Sequence, residues 1–151
     1  SSDLMSSIGK AFAKAWIRKL ENNWDKIYVL VDLHDTILKG QYHGEEKWEW
    51  YPHALKALHE LSFRHDICLI LWTSTHKEKI DMYLSKMAIH GVHFDYVNCN
   101  PEVGATDILD PSEKIYFNVG IDDRFGFDPE HDWEALCWIA ETLDGWVKKD
   151  C

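Results

Sequence analysis

The chain is predicted to be an α/β protein with a doubly wound parallel sheet, helices on both faces and no large inserted cap domain. Three observations predict it. Apolar runs of strand length alternate with stretches of helical periodicity. The run Ile67-Cys-Leu-Ile-Leu-Trp72 is apolar throughout, the pattern of a strand buried on both faces. Three of the runs end in polar residues, where an open α/β sheet presents groups to ligand. With 151 residues, the chain is expected to form one domain over 1–151.

Leu4, Ile8, Phe12, Trp16 and Leu20 recur at steps of four, and Ala15 and Ile17 widen the stripe. An amphipathic helix is predicted from Leu4 to Leu20, within an N-terminal segment 1–24. Its apolar face is expected to cover the domain's own sheet, because its polar face lacks the strong positive charge of an interfacial helix. Ile27 begins the first strand, which ends in Asp32-Leu-His-Asp-Thr36.

The segment 38–51 contains Gly40, Gly44 and the alternating run Glu45-Glu-Lys-Trp-Glu-Trp-Tyr51, the pattern of a short hairpin or flap. Pro52 is placed at the first position of a helix carrying Leu55, Leu58 and Leu61. The strand Ile67–Trp72 is ended by Thr73, Ser74 and Thr75. A helix from Lys77 to His90 follows, marked by Ile80, Tyr83, Leu84 and Met87 and stopped by Gly91.

His93 to Asn98 reads as a third strand, 99–113 as a loop, Ile115 to Ile121 as a fourth strand and His131 to Val147 as a helix. The alternation implies βαβ units with right-handed crossovers, a Rossmann-like domain. Of the eight tryptophans, Trp16, Trp72, Trp133, Trp138 and Trp146 fall on core-facing patterns. Trp48, Trp50 and Tyr51 are expected to pack the flap onto the domain, with stacking on a base or sugar as the functional alternative.

Acidic residues outnumber Lys plus Arg by 26 to 16, a formal charge of −10. That field repels polyanions and excludes non-specific binding of duplex nucleic acid. A small phosphorylated molecule or nucleotide is compatible with it, since a bound cation and a lysine reverse the field locally. No apolar stretch approaches the roughly 20 residues that span a bilayer, so no membrane association is expected. The four cysteines include no Cys-x-x-Cys pair, which points to reduced thiols in the cytoplasm. The oligomeric state is open at this level. The histidines show no spacing of a zinc site.

The strand ends carry the chemistry. Asp32 follows the first strand, Thr73 the second and Asp122-Asp123 the fourth, with Lys114 just before that strand. A carboxylate can attack phosphorus and form an aspartyl phosphate, which makes Asp32 the candidate nucleophile. Opposed carboxylates on Asp32, Asp122 and Asp123 suit Mg²⁺, a hard cation that takes oxygen ligands. Lys114 and Thr73 would hold phosphoryl oxygens, where transition-state charge spreads. Thr36, Ser74 and Arg124, next to these residues, are candidate substrate contacts together with Trp48 and Trp50. Arg124 could instead pair with an acidic neighbour.

In this order and strand context the chain resembles the haloacid dehalogenase-like (HAD) superfamily of phosphatases and phosphotransferases. Its first motif, Asp-x-Asp-x-Thr, is matched by Asp32-Leu-His-Asp-Thr36. The second is matched by Thr73, the third by Lys114 and the fourth by Asp122-Asp123. The resemblance implies a Mg²⁺-dependent phosphohydrolase acting through Asp32, with the metal held by Asp32, the backbone carbonyl of His34, Asp122 and Asp123. Of the acidic pair, it favours Asp123 as the direct or water-bridged ligand. About 40 residues separate Asp32 from Thr73, too few for the large cap of many relatives, so the site is expected to be open.

The departure is His34. Relatives usually carry there an aspartate that protonates the leaving group. Imidazole can act as an acid or base near neutral pH, although its ring cannot occupy the aspartate's place. Asp35 is displaced by one residue and would point elsewhere. The alternative reading is therefore a catalytically weakened metal or phosphate-binding protein with a role in recognition or assembly. A response-regulator-like receiver is disfavoured, because a receiver carries its acidic pair early and here the pair comes last.

Overall fold

The computed structural model describes residues 6–40, 49–103 and 115–147, the last four as backbone only. Its strands are β1 (Ile27–Asp32), β2 (Ile67–Trp72), β3 (Tyr96–Val97) and β4 (Val119–Ile121). They form one all-parallel sheet in the order β3-β2-β1-β4. Helix α1 (Ser7–Asn22) precedes β1, α2 (Ala54–Ser62) links β1 to β2, α3 (Lys77–Ala88) links β2 to β3, and α4 (Asp132–Val147) follows β4. The fold is α/β and Rossmann-like, with a parallel sheet flanked by helices.

Alternation along the strands builds two clusters. Ile27, Val29 and Val31 of β1 and Ile67, Leu69 and Leu71 of β2 are buried with Phe12 and Trp16 of α1, Leu58 and Leu61 of α2, Met87 of α3, and Trp133 and Leu136 of α4. The alternate residues Leu30, Cys68 and Ile70 point to the other face, where Tyr28, Tyr96 and Ile115 pack on them. Burial on both faces is why these strands read as unbroken apolar runs. On that second face Glu102 accepts from Lys26 Nζ at 2.7 Å and from the Tyr96 hydroxyl at 2.7 Å, tying the chain after β3 to the start of β1. Most of the expected loop 99–113, and Lys114 after it, lie outside the described residues.

The helix expected from Leu4 begins at Ser7, with the Ser6 hydroxyl accepting from Gly9 N–H at 3.1 Å, and runs on to Asn22. Asn23, at φ 54°, ends it in the left-handed region. Its buried stripe is Ile8, Phe12, Ala15 and Trp16, narrower than expected: Ile17 is 56% and Leu20 39% exposed. Pro52 does not open α2. His53 adopts φ 65°, which a helix cannot contain, so the helix starts at Ala54.

Both later strands are shorter than predicted, because side chains replace main-chain partners. The Asp95 carboxylate accepts from Leu69 N–H at 2.8 Å, and the Asn118 side-chain oxygen accepts from Tyr28 N–H at 2.7 Å. Residues 37–39 and 49–51 pair antiparallel through Lys39 N–H to Glu49 O and Tyr51 N–H to Ile37 O, giving the base of the expected hairpin. Its tip, with Trp48, lies outside the described residues. Trp72 does not enter the core; it is 39% exposed at the end of β2.

Among the described residues no helix is long and apolar enough to cross a membrane. Cys68 and Cys137 are buried free thiols and Cys99 an exposed one.

Candidate active site

Strands β1, β2 and β3 step outward in one direction, whereas β4 returns to the other side of β1. This reversal opens a crevice at the carboxyl ends of β1 and β4, the place where such sheets bind ligands. Asp32 is the last residue of β1, and Asp122 is the first after β4. With Asp123 they bring carboxylate oxygens within 4.8 Å of one another. Gly120 in β4 leaves room for the Phe125 ring, which would lie 2.6 Å from a Cβ there, and so lets the turn Asp123–Phe125 fold back against the strand.

Three carboxylates this close repel one another. Burial, and then the charge of Asp122, push the Asp32 carboxyl up to about 6. Burial and the adjacent Asp122 likewise raise Asp123. Asp122 goes the other way. Its burial, at 4% exposed, is outweighed by hydrogen bonds from Arg124, which hold it below the usual carboxylate range. Arg124 donates from Nη2 to Oδ2 at 2.7 Å, from Nε to both oxygens at 3.2 Å, and from its backbone N–H to Oδ1 at 2.9 Å. An all-oxygen donor set with excess negative charge fits a hard divalent cation.

The turn after β1 is built to hold Asp32 in place. Ile37 and Leu38 N–H both bond the Leu33 carbonyl, at 2.9 and 3.1 Å, and Asp35 N–H bonds the Leu38 carbonyl at 2.8 Å. The carbonyl of His34 accepts none of this turn's backbone hydrogen bonds. Thr36 is fully buried, and its hydroxyl donates to Asp32 Oδ2 at 3.4 Å. Trp133 of α4 donates from Nε1 to the Thr36 carbonyl at 2.8 Å and pins the turn to the core. Asp35, at φ 59°, turns its carboxylate onto Gly40 N–H at 2.9 Å. It faces its own turn.

The other half of the site is neutral. Thr73 is buried immediately after β2, and its hydroxyl lies 2.8 Å from that of Thr75. Thr75 Oγ1 lies in turn 3.2 Å from His34 Nε2, and the His34 ring meets Tyr83 edge-on at 5.5 Å. Burial and then the nearby Lys79 lower the His34 pKa, against the opposing charge of Asp35. Asn98, at φ 57°, clamps Thr73 through both main-chain groups: its Oδ1 accepts from Thr73 N–H and its Nδ2 donates to the Thr73 carbonyl, each at 2.8 Å.

Of the residues singled out from sequence, the fold brings Asp32, Asp122 and Asp123 together, joins Thr36 to Asp32 and Arg124 to Asp122, and links Thr73 to His34 through Thr75. Ser74 is exposed. Trp50 is partly buried against the core and pairs with Leu38 across the hairpin base, a packing position. Lys114 and Trp48 lie outside the described residues. Thr75, Tyr83 and Asn98 were not anticipated as site residues. The Thr-Ser-Thr run hinted at the first, but nothing local marks Asn98, which is 25 residues from its partner.

No family model matches the chain, and no curated protein matches it. Among solved structures, it is similar to a conserved protein from Bacteroides thetaiotaomicron, with 25% sequence identity and a TM-score of 0.57 over 80% of this chain and 91% of that one. That likeness extends along nearly the whole neighbouring chain and bears out the α/β fold with its parallel sheet.

Proposed function

We propose that the protein is a Mg²⁺-dependent phosphohydrolase of the haloacid dehalogenase-like type, acting on a small phosphorylated molecule or nucleotide through Asp32. The observation that carries this reading is the convergence of Asp32, Asp122 and Asp123 oxygens within 4.8 Å at the crevice between β1 and β4. The order of the motif residues supports it further, with Lys114 as the expected phosphate-binding lysine. Free buried thiols agree with a cytoplasmic setting.

In this mechanism the three carboxylates, with the His34 carbonyl, would hold Mg²⁺, which would supply charge neutralisation for the phosphoryl group. An oxygen of Asp32 attacks phosphorus, a phosphorus–carboxylate bond forms, and the ester bond breaks with its electron pair on the leaving oxygen. That oxygen takes a proton, for which His34 is the nearest candidate by sequence position. Water then displaces the carboxylate from phosphorus, releasing inorganic phosphate and restoring Asp32. Thr36 keeps the carboxylate aimed, and Thr73 offers a hydroxyl to the phosphoryl oxygens.

One observation favours the second reading, a weakened catalyst with a binding role. His34 is held between Thr75 and Tyr83, and its burial lowers its pKa and so disfavours the imidazolium that a general acid needs. The deciding experiment is turnover of a broad panel of phosphate esters with Mg²⁺. Turnover that falls by about 10³-fold or more in Asp32→Asn supports the enzyme. Absence of any Asp32-dependent turnover, with cation binding retained, supports the binding protein.

A further inference from the structure

Asp122 is a buried carboxylate whose two oxygens both face one guanidinium, while that guanidinium belongs to a side chain that is 67% exposed. The asymmetry has a consequence for any cation at the site. A carboxylate has few lone pairs, and here the Arg124 Nε and Nη2 groups and a backbone N–H already use both oxygens. A divalent ion held by Asp32, Asp122 and Asp123 needs one of those oxygens and repels the guanidinium that covers it. Arg124 is free to leave, because its stem lies in solvent and Nη1 donates to no described residue. Its planar fork then stands beside the cation, suited to an anion with paired oxygens.

We infer that Arg124 occupies two positions: seated on Asp122 as a stand-in for the cation, and, once a divalent cation takes Asp122, released to clamp the oxygens of a phosphate. This rests on the metal-dependent reading above and adds an order to it. Cation binds first, and the anion binds tightly only afterwards. Arg124 is thus both a competitor of the metal and a substrate-binding residue, two roles that a permanent Asp122–Arg124 pair would not combine.

The test uses the full chain with Mn²⁺ as the probe, free ion being counted by electron paramagnetic resonance. Arg124→Gln, which removes the competitor, is expected to bind Mn²⁺ more tightly by on the order of tenfold, with Arg124→Lys between it and the unaltered protein. With Mg²⁺ saturating, inorganic phosphate is expected to bind Arg124→Gln about tenfold more weakly, and the gain in phosphate affinity on adding Mg²⁺ to shrink. Thermal melting confirms that both variants are folded. If Arg124→Gln binds Mn²⁺ no more tightly than the unaltered protein, the two-position inference is overturned while Asp32-dependent Mn²⁺ binding leaves the metal site standing. If none of the proteins binds Mn²⁺, both readings fall.

Discussion

The two halves of the site meet the same crevice in opposite electrostatic conditions. On the β1/β4 side three carboxylates crowd together, two of them pushed above their ordinary range, with one exposed arginine set against them. On the β2 side neutral polar groups are joined in a chain: Asn98 clamps Thr73, Thr73 meets Thr75, and Thr75 meets His34. The first half stores repulsion that a ligand relieves, whereas the second is already satisfied and supplies fixed geometry. Binding energy from a cation is therefore available on one side, and positional accuracy on the other.

The largest test of that division lies at the boundary between the halves. His34→Asp removes the neutral ring from its place between Thr75 and Tyr83 and provides a shorter acid. Steady-state turnover on esters with poor leaving groups is expected to rise by about 10²-fold, the usual worth of a well-placed general acid. No gain would show that the proton is delivered by another group.

Asn98→Ala attacks the satisfied half alone. It leaves Thr73 N–H and the Thr73 carbonyl without their partners, and chemical denaturation should report a loss of about 2 kcal/mol. Metal affinity, which belongs to the acidic half, should be unchanged.

The acidic half should reveal itself through pH. Between 3.8 and about 6 the folded protein holds a proton on Asp32 that the unfolded chain has released. Folding stability without divalent cation should therefore fall as pH rises through that window, whereas Asp122, whose pKa is lowered, contributes in the opposite sense below it. The difference in melting temperature between the unaltered protein and Asp32→Asn isolates the Asp32 contribution, and saturating Mg²⁺ should restore the stability lost by pH 6. The smallest effect is expected for Thr75→Val, which deletes one hydroxyl between His34 and Thr73. A loss of about 1 kcal/mol on unfolding is expected.

Much of this division was legible in the residue pattern, and unevenly. Ile67–Trp72 was predicted with its observed bounds, because a strand buried on both faces leaves a continuous apolar run. Asp32 and Asp122 were recognisable as the residues at which such runs break. The satisfied half was nearly invisible. Asn98 acts on Thr73 across a gap in sequence, and a left-handed asparagine in a polar loop has no local signature that distinguishes a clamp from a turn. The edges of β3 and β4 were overestimated for the same reason, since Asp95 and Asn118 replace ladder bonds with side-chain bonds that periodicity does not encode.

Side-chain periodicity and breaks in apolar runs were enough to establish an α/β chain with a parallel sheet and with acids and a threonine at its carboxyl edge, because both follow from which residues can be buried along one strand or helix. Which of those groups touch was a matter of the strand order. Placing β4 beside β1 sets Asp122 and Asp123 against Asp32 and raises its pKa, and placing β2 on the other side gives His34 to Thr75. Burial is a property of a residue and its near neighbours, but charge repulsion and hydrogen-bond closure act between residues distant in the chain, and these exist only once the sheet has assembled.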